Sequence, residues 1–278
     1  MKPLKQLFSE LKTSHQALPA FNIDSFEIFQ AVVAAVSETN LPCLVQLSPN
    51  EDNFIRAENL FLLVKKANLD GLPIYLNMDH GRDLDRLKTL VKLGFDMVHF
   101  DGSSLDYQQN LSAVSKFISE IKADNPDCLV EAEFNKINLI ENGVSPKSYT
   151  SPSQALEFIT ATKADFLAVS IGNLHGVSTT LPEIIDLKLL GSIATDIPDT
   201  FLTLHGGSGI PLDLIYSAIN LGIVKININT DLRLKFKGSL KTNLDRSASE
   251  KIYDYLGPVI IDLKDIIVQK LTQLQNHV

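Results

Sequence analysis

The chain has 278 residues, 45% of them hydrophobic and 21% charged, with no Trp and a formal net charge of -8. That supplies ample core for one large α/β domain spanning 1–278. The acidic balance argues against general nucleic-acid binding, which needs clustered Lys and Arg.

Strand-like apolar runs recur along the chain at 17–23, 42–48, 73–79, 96–101, 128–134, 165–171, 200–206 and 223–228. Between them lie helical patterns. The first spans Ser25 to Glu38 and opens on a capping serine. Others cover Asn53 to Lys66, Leu84 to Leu93, Leu105 to Lys122 and Ser153 to Thr162. Pro211 opens a further short helix as a first-turn proline, and a long helix runs from about Pro258 to Asn276. Eight strand–helix units in this length are what a (β/α)8 TIM barrel requires, and strands apolar along their whole length fit a sheet buried on both faces. The N-terminal MKPLKQLFSELK lacks an apolar signal core, and no run approaches the ~20 apolar residues of a membrane span, so a cytoplasmic protein with no membrane partner is expected. Cys43 and Cys128 lie in apolar runs and are expected as buried thiols.

Polar residues gather where these strands end: Asn22, Ser48, Asp79 and His80, Asp101, Glu133, His175, His205, Asn227 and Asn229. Barrel active sites lie at that face. Closure would bring His80, His175 and His205 to one mouth, and three imidazoles with an open fourth position suit a catalytic zinc. Taken singly, each histidine reads more readily as a loop brace; three at corresponding strand ends reverse that balance. Asp79, next to His80, should point to the opposite face of an extended strand, but twist at the strand end would bring it into the pocket as a general acid or base. Glu131 and Glu133 alternate to one side and need a cation, either a metal or Lys225. In HGGSGIP, 205–211, glycines and a helix start form a turn suited to a phosphate.

The ordered run AFNI, LSPNE, NMDHG, FDGSS, VEAEF, IGNLHGVS, LHGGSGIP and KININTDLR resembles the class II, zinc-dependent ketose-bisphosphate aldolases across nearly the whole chain. The resemblance implies a barrel lyase of carbohydrate metabolism, of the glycolytic fructose- and tagatose-bisphosphate type. It makes His80, His175 and His205 zinc ligands and Asp79 the residue that handles the hydroxyl proton. Glu133 and Asp101 match acids at an alternate metal position. Gly176, Gly206, Gly207 and Ser208 match segments that hold the dihydroxyacetone-phosphate end and a monovalent cation. Asn227, Asn229 and Thr230 match the strand-eight segment on the same triose, and Asn22 and Ser48 line the other substrate half. Glu141 keeps the spacing of the glutamate that moves the carbon-bound proton. The family and the long C-terminal helix together imply a homodimer or higher homo-oligomer.

Four departures stand out. The loop EFNKINLIEN lacks the family's glycines, Asn142 replaces an acid, Asn77 replaces the first histidine of HLDHG, and Tyr253 stands where an arginine associated with the distal phosphate would be. Three readings follow: a ketose-bisphosphate aldolase, an aldolase for a singly phosphorylated sugar or sugar acid, or a silent barrel that binds metal or phosphosugar.

Overall fold

The computed structural model describes residues 1–137, 149–174, 176 and 185–276. Eight parallel strands close a barrel in sequence order, as expected for a TIM barrel. They are β1 (Leu18–Asn22), β2 (Cys43–Leu47), β3 (Ile74–Gly81), β4 (Met97–Asp101), β5 (Leu129–Glu133), β6 (Phe166–Ala168), β7 (Phe201–Leu204) and β8 (Ile223–Ile228). Each lies within its expected run except β3, which continues two residues to Gly81, while β6 contracts to three residues.

The helices among the described residues are α1 (Leu4–Thr13), α2 (Phe26–Thr39), α3 (Pro49–Ile55), α4 (Ala57–Leu69), α5 (Leu84–Leu93), α6 (Tyr107–Asp124), α7 (Pro152–Thr162), α8 (Leu187–Asp196), α9 (Leu212–Asn220), α10 (Thr230–Arg246) and α11 (Ile252–Gln275). Ser25 caps α2 by accepting from the Ile28 amide. The helix expected over 53–66 is instead two. A capping box of Ser48 and Glu51 starts α3 early, and Arg56, at φ 69°, breaks the ladder before α4. Pro211 stands at the cap of α9, one position earlier than expected. The last helix begins at Ile252 and carries Pro258 inside it. Its stripe Val259, Leu263, Ile267, Leu271 and Leu274 is buried, and the helix packs on α2.

One hydrophobic cluster fills the space between the barrel and its helices; a second closes the barrel's N-terminal end. There α1 inserts Leu4, Leu7, Phe8 and Leu11, a three-and-four spacing, against Leu18, Leu44, Tyr75, Met97, Leu129, Phe166 and Phe201. Phe8 lies edge-on to Phe166, with ring centroids 4.6 Å apart. The floor is therefore apolar and plugged, and polar chemistry is confined to the opposite mouth. Both cysteines are buried and free.

Because Phe8 is fully buried at the centre of this plug, Phe8→Ala should destabilise the fold by about 3–5 kcal/mol. Urea unfolding followed by circular dichroism checks this; a loss under ~1 kcal/mol would show that the plug contributes little.

Candidate active site

Above the apolar floor the barrel interior is polar. Alternation along the strands brings Gln46, Asn77, His99, Glu131, Thr203 and Lys225 inside, all fully buried. Nearer the mouth follow Asn22, Asp79, Asp101, Glu133, His205 and Asn227, all but closed to solvent. Two irregularities set this pattern. On β8 the register against β7 passes from Leu202↔Ile223 to Thr203↔Lys225, so Val224 is an extra residue. Val224 joins the floor cluster while Lys225 still reaches the interior. On β3 the register against β4 passes from Met78↔Val98 to Gly81↔Phe100, so Asp79 and His80 together face one residue, His99.

That bulge answers the orientation question at Asp79. His80 adopts a left-handed φ of 51°, and the distortion turns both adjacent side chains into one cavity, where an ideal strand would separate them. The His80 amide donates to His99 Nδ1 at 3.0 Å, which fixes the bulge. Asp79 receives Asn227 Nδ2 at 3.0 Å on one oxygen, and Gln46 Nε2 at 3.2 Å and Asn22 Nδ2 at 3.4 Å on the other. Asn77 in turn donates to Gln46 Oε1 at 2.8 Å, and Gln46 Nε2 also donates to Asn22 Oδ1 at 2.9 Å. Burial works against the charge on Asp79, but His80, His99, His205 and Lys225 hold its carboxyl well below the usual range.

His80 Nε2 and His205 Nδ1 converge to 2.9 Å. Around His80 Nδ1 stand Asp101 Oδ2 at 3.3 Å and Glu133 Oε2 at 3.7 Å. Burial holds His205 down to about 3, so its ring is neutral. The two acids of β5 diverge. Glu131 binds Lys225 Nζ at 2.7 Å and His205 Nε2 at 2.8 Å. Burial raises its carboxyl, yet Lys225, His99 and His205 overcome that and keep it charged. Glu133 is pushed up to about 8 by burial, with Asp101 and Glu131 adding to the shift. Of the two acids on β5, Lys225 thus pairs with Glu131.

The cavity measures about 270 Å³, and its walls include Asn22, Ser48, Asp79, His80, Gly176, His205, Gly206, Ser208, Asn227, Asn229 and Thr230, all expected from the sequence, and also Arg233, which was not. Asn229 stands at the N-cap position of α10 without a side-chain capping bond, and the helix N-terminus opens on the cavity beside Thr230. Ser208 Oγ accepts the Asp231 amide at 3.1 Å and ties the β7 loop to that helix start. Gly207 does not line the cavity. Its amide donates to the Asn227 carbonyl, and a Cβ there would meet Ile226 at 2.4 Å, so this glycine permits close packing on β8. Beneath Ser48, Glu51 takes the Ser48 amide at 2.6 Å, Asn22 at 2.9 Å, Asn229 at 3.1 Å and Arg233 at 2.6 Å. Burial pushes the Glu51 carboxyl up to about 7, against the hydrogen bonds from Asn22 and Ser48. His175 and Glu141 lie outside the described residues.

Over residues 2–277 the chain matches the family described as fructose-bisphosphate aldolase class-II. The chain belongs to this family. Class-II aldolases of this kind are lyases, and this member is one. Its fold is similar to that of the YdjI aldolase from Escherichia coli K12, with a TM-score of 0.84 at 24% identity over 98% of this chain and 96% of that one. A fructose-bisphosphate aldolase from Campylobacter jejuni gives 0.75 at 20% identity, over 98% and 93%.

The family is typically dependent on a divalent metal, and the residues of this aldolase fit one. Two ligand nitrogens on one tetrahedral zinc at ~2.0–2.1 Å stand roughly 3.3 Å apart, close to the His80–His205 separation. Asp79, His80, His99 and His205 form one cluster with metal-ligand spacing, and His80, Asp101 and Glu133 form another. Among the described residues, His99 Nε2 and Glu133 Oε2 are buried with no hydrogen-bond partner, and an unpaired donor or acceptor at such depth is costly. His99 escaped the sequence reading, although alternation in MVHFD puts it on the same face as Asp101.

Lys225→Met should cost about 3–5 kcal/mol of stability by leaving Glu131 charged and unpaired, and Glu131→Gln in that background should restore part of it. Thermal and urea unfolding of both variants test the pairing; an unchanged Lys225→Met midpoint would contradict it.

Proposed function

We propose that this enzyme cleaves a ketose phosphate reversibly to dihydroxyacetone phosphate and an aldehyde, using zinc held by His80, His175 and His205. The observation that carries the reading is the β3 bulge, which brings a charged Asp79 and the ring of His80 into one cavity with His205. When bound, the ion supplies Lewis acidity, polarising the substrate ketone and steadying the charge that develops as the carbon–carbon bond breaks. Asp79 Oδ takes the proton of the hydroxyl whose collapse releases the aldehyde, and the amides of Asn227, Gln46 and Asn22 keep that carboxylate aimed. The open N-terminus of α10, with Gly206, Ser208, Asn229 and Thr230, receives the triose phosphate, so that binding energy remote from the reaction orients the reacting carbons. Asn22 and Ser48 border the aldehyde half. Glu141, which the family resemblance matches to the glutamate that moves the carbon-bound proton, returns the proton to the triose carbon. Asp101 and Glu133 steady His80 and offer an alternate position for the ion. The apolar Ile252 and Ile261 exposed on α11 suit the proposed homodimer or larger assembly. No helix among the described residues is long and apolar enough to cross a membrane.

Purified protein should contain about one zinc per chain by elemental analysis and release triose phosphate from a ketose phosphate in a coupled assay. Chelation should abolish turnover, and zinc should restore it. A protein that binds metal but releases no triose phosphate from any ketose phosphate would be a silent barrel.

Asp79→Ala should keep its metal and lose about 10²–10⁴-fold in turnover. Loss of metal together with activity would assign Asp79 to the ligand shell instead.

A further inference from the structure

We propose that Glu51, together with Asp24, selects an aldehyde half that carries no phosphate, by occupying Arg233, the one arginine that lines the reaction cavity among the described residues. This rests on the aldolase reading above and extends it to the class of substrate: a ketose monophosphate whose released aldehyde is an uncharged polyol.

The geometry is that of a cation already taken. Arg233 donates through Nε to Asp24 at 2.6 Å, and through Nη2 to Asp24 at 3.0 Å and to Glu51 at 2.6 Å. Two carboxylates therefore face one guanidinium, and with Glu51 ionised, as it is at pH 8, excess negative charge stands beside Asn22 and Ser48. A phosphate monoester adds about −1.5 to −2 at neutral pH and would meet repulsion there. Glu51 is almost wholly buried and holds the Ser48 amide, Asn22, Asn229 and Arg233 at once. It shapes the aldehyde wall without itself lining the cavity, which makes it a positioning residue.

The neighbouring ground offers no substitute. Ser48 and His80 also border a cleft of about 690 Å³ that holds the other arginines near the mouth. Arg82 donates twice to Asp101. Arg86 is held between Asp52 and Glu58, and Arg56 lies 3.9 Å from Glu58. No lysine lines either cavity among the described residues. Each guanidinium at this mouth thus already faces a carboxylate, whereas a phosphate site needs donors with charge to spare.

The test compares fructose 1-phosphate with fructose 1,6-bisphosphate at pH 8, with the zinc-loaded wild type, Glu51→Gln and Asp24→Asn. The wild type should have the higher kcat/KM on the monophosphate. Glu51→Gln keeps the shape and removes the charge; it should move the bisphosphate-to-monophosphate ratio about tenfold toward the bisphosphate, mainly through KM. Asp24→Asn, at a more exposed carboxylate, should move it the same way by less. A wild-type preference for the bisphosphate, or a Glu51→Gln variant that slows both substrates equally, overturns the proposal. Calorimetric titration of the same proteins with both sugars reads the same ratio without turnover. Failure to cleave either sugar would count against the aldolase reading, while binding ratios unmoved by the substitutions would count against this one.

Discussion

One extra residue in β3 sets the terms for everything at the mouth of this barrel. A regular strand would give Asp79 to the interior and His80 to the helical layer, or the reverse. With two residues opposite His99, and His80 in a left-handed conformation, both enter the same cavity. A non-glycine residue in that region costs on the order of 1–3 kcal/mol, and it persists only where the surroundings over-determine it. Here the His80 amide is received by a buried ring, and its side chain is held by Asp101 and His205. The second bulge, on β8, has the complementary effect of adding a floor residue without losing the inward lysine.

The polar interior is tolerable because it is divided. The lower part, Glu131 with Lys225, is closed and mutually compensated, and His205 reaches down to Glu131 from the cavity wall. Buried pairs of this kind add little stability over an apolar core but are costly to break. Around His80, His99 Nε2 and Glu133 Oε2 have no hydrogen-bond partner among the described residues. Two glutamates two residues apart thus meet opposite fates, Glu131 held charged by a lysine and Glu133 pushed up to about 8 by its burial beside other acids.

Most of the architecture is legible in the sequence, since eight apolar runs with helical intervals leave few alternatives, and every strand lies where a run was read. What escapes has local causes. The N-terminal α1 is absent from the expected helices, although Leu4, Leu7, Phe8 and Leu11 keep a helical stripe. The strongly polar α10 has no apolar stripe to announce it, burying only Leu232 and Ser239. His99 and Arg233 do not stand at strand ends, where polar residues attract notice; the site extends one layer down and one helical turn outward to reach them. Gly207 reads as part of an anion cradle, whereas its small size serves packing against Ile226. Bulges leave no mark in composition, so the residues alone allow the joint entry of Asp79 and His80 without requiring it.

The amides beneath the mouth carry a direction as well as a set of contacts. A carboxylate only accepts, so Asp79 and Glu51 oblige Asn22 and Gln46 to present their NH₂ ends. Gln46 is left with its carbonyl facing Asn77, which must then donate. Asn77 is thereby oriented by two acids it never touches. Turning any one of these side chains over would set donor against donor or acceptor against acceptor along the line, so the row has a single polarity. The asparagine that stands where relatives carry a histidine is the far end of that row. A substitution there would be felt first as a loosened aim of Asp79, one amide removed, and not as a missing contact at the place where it was made.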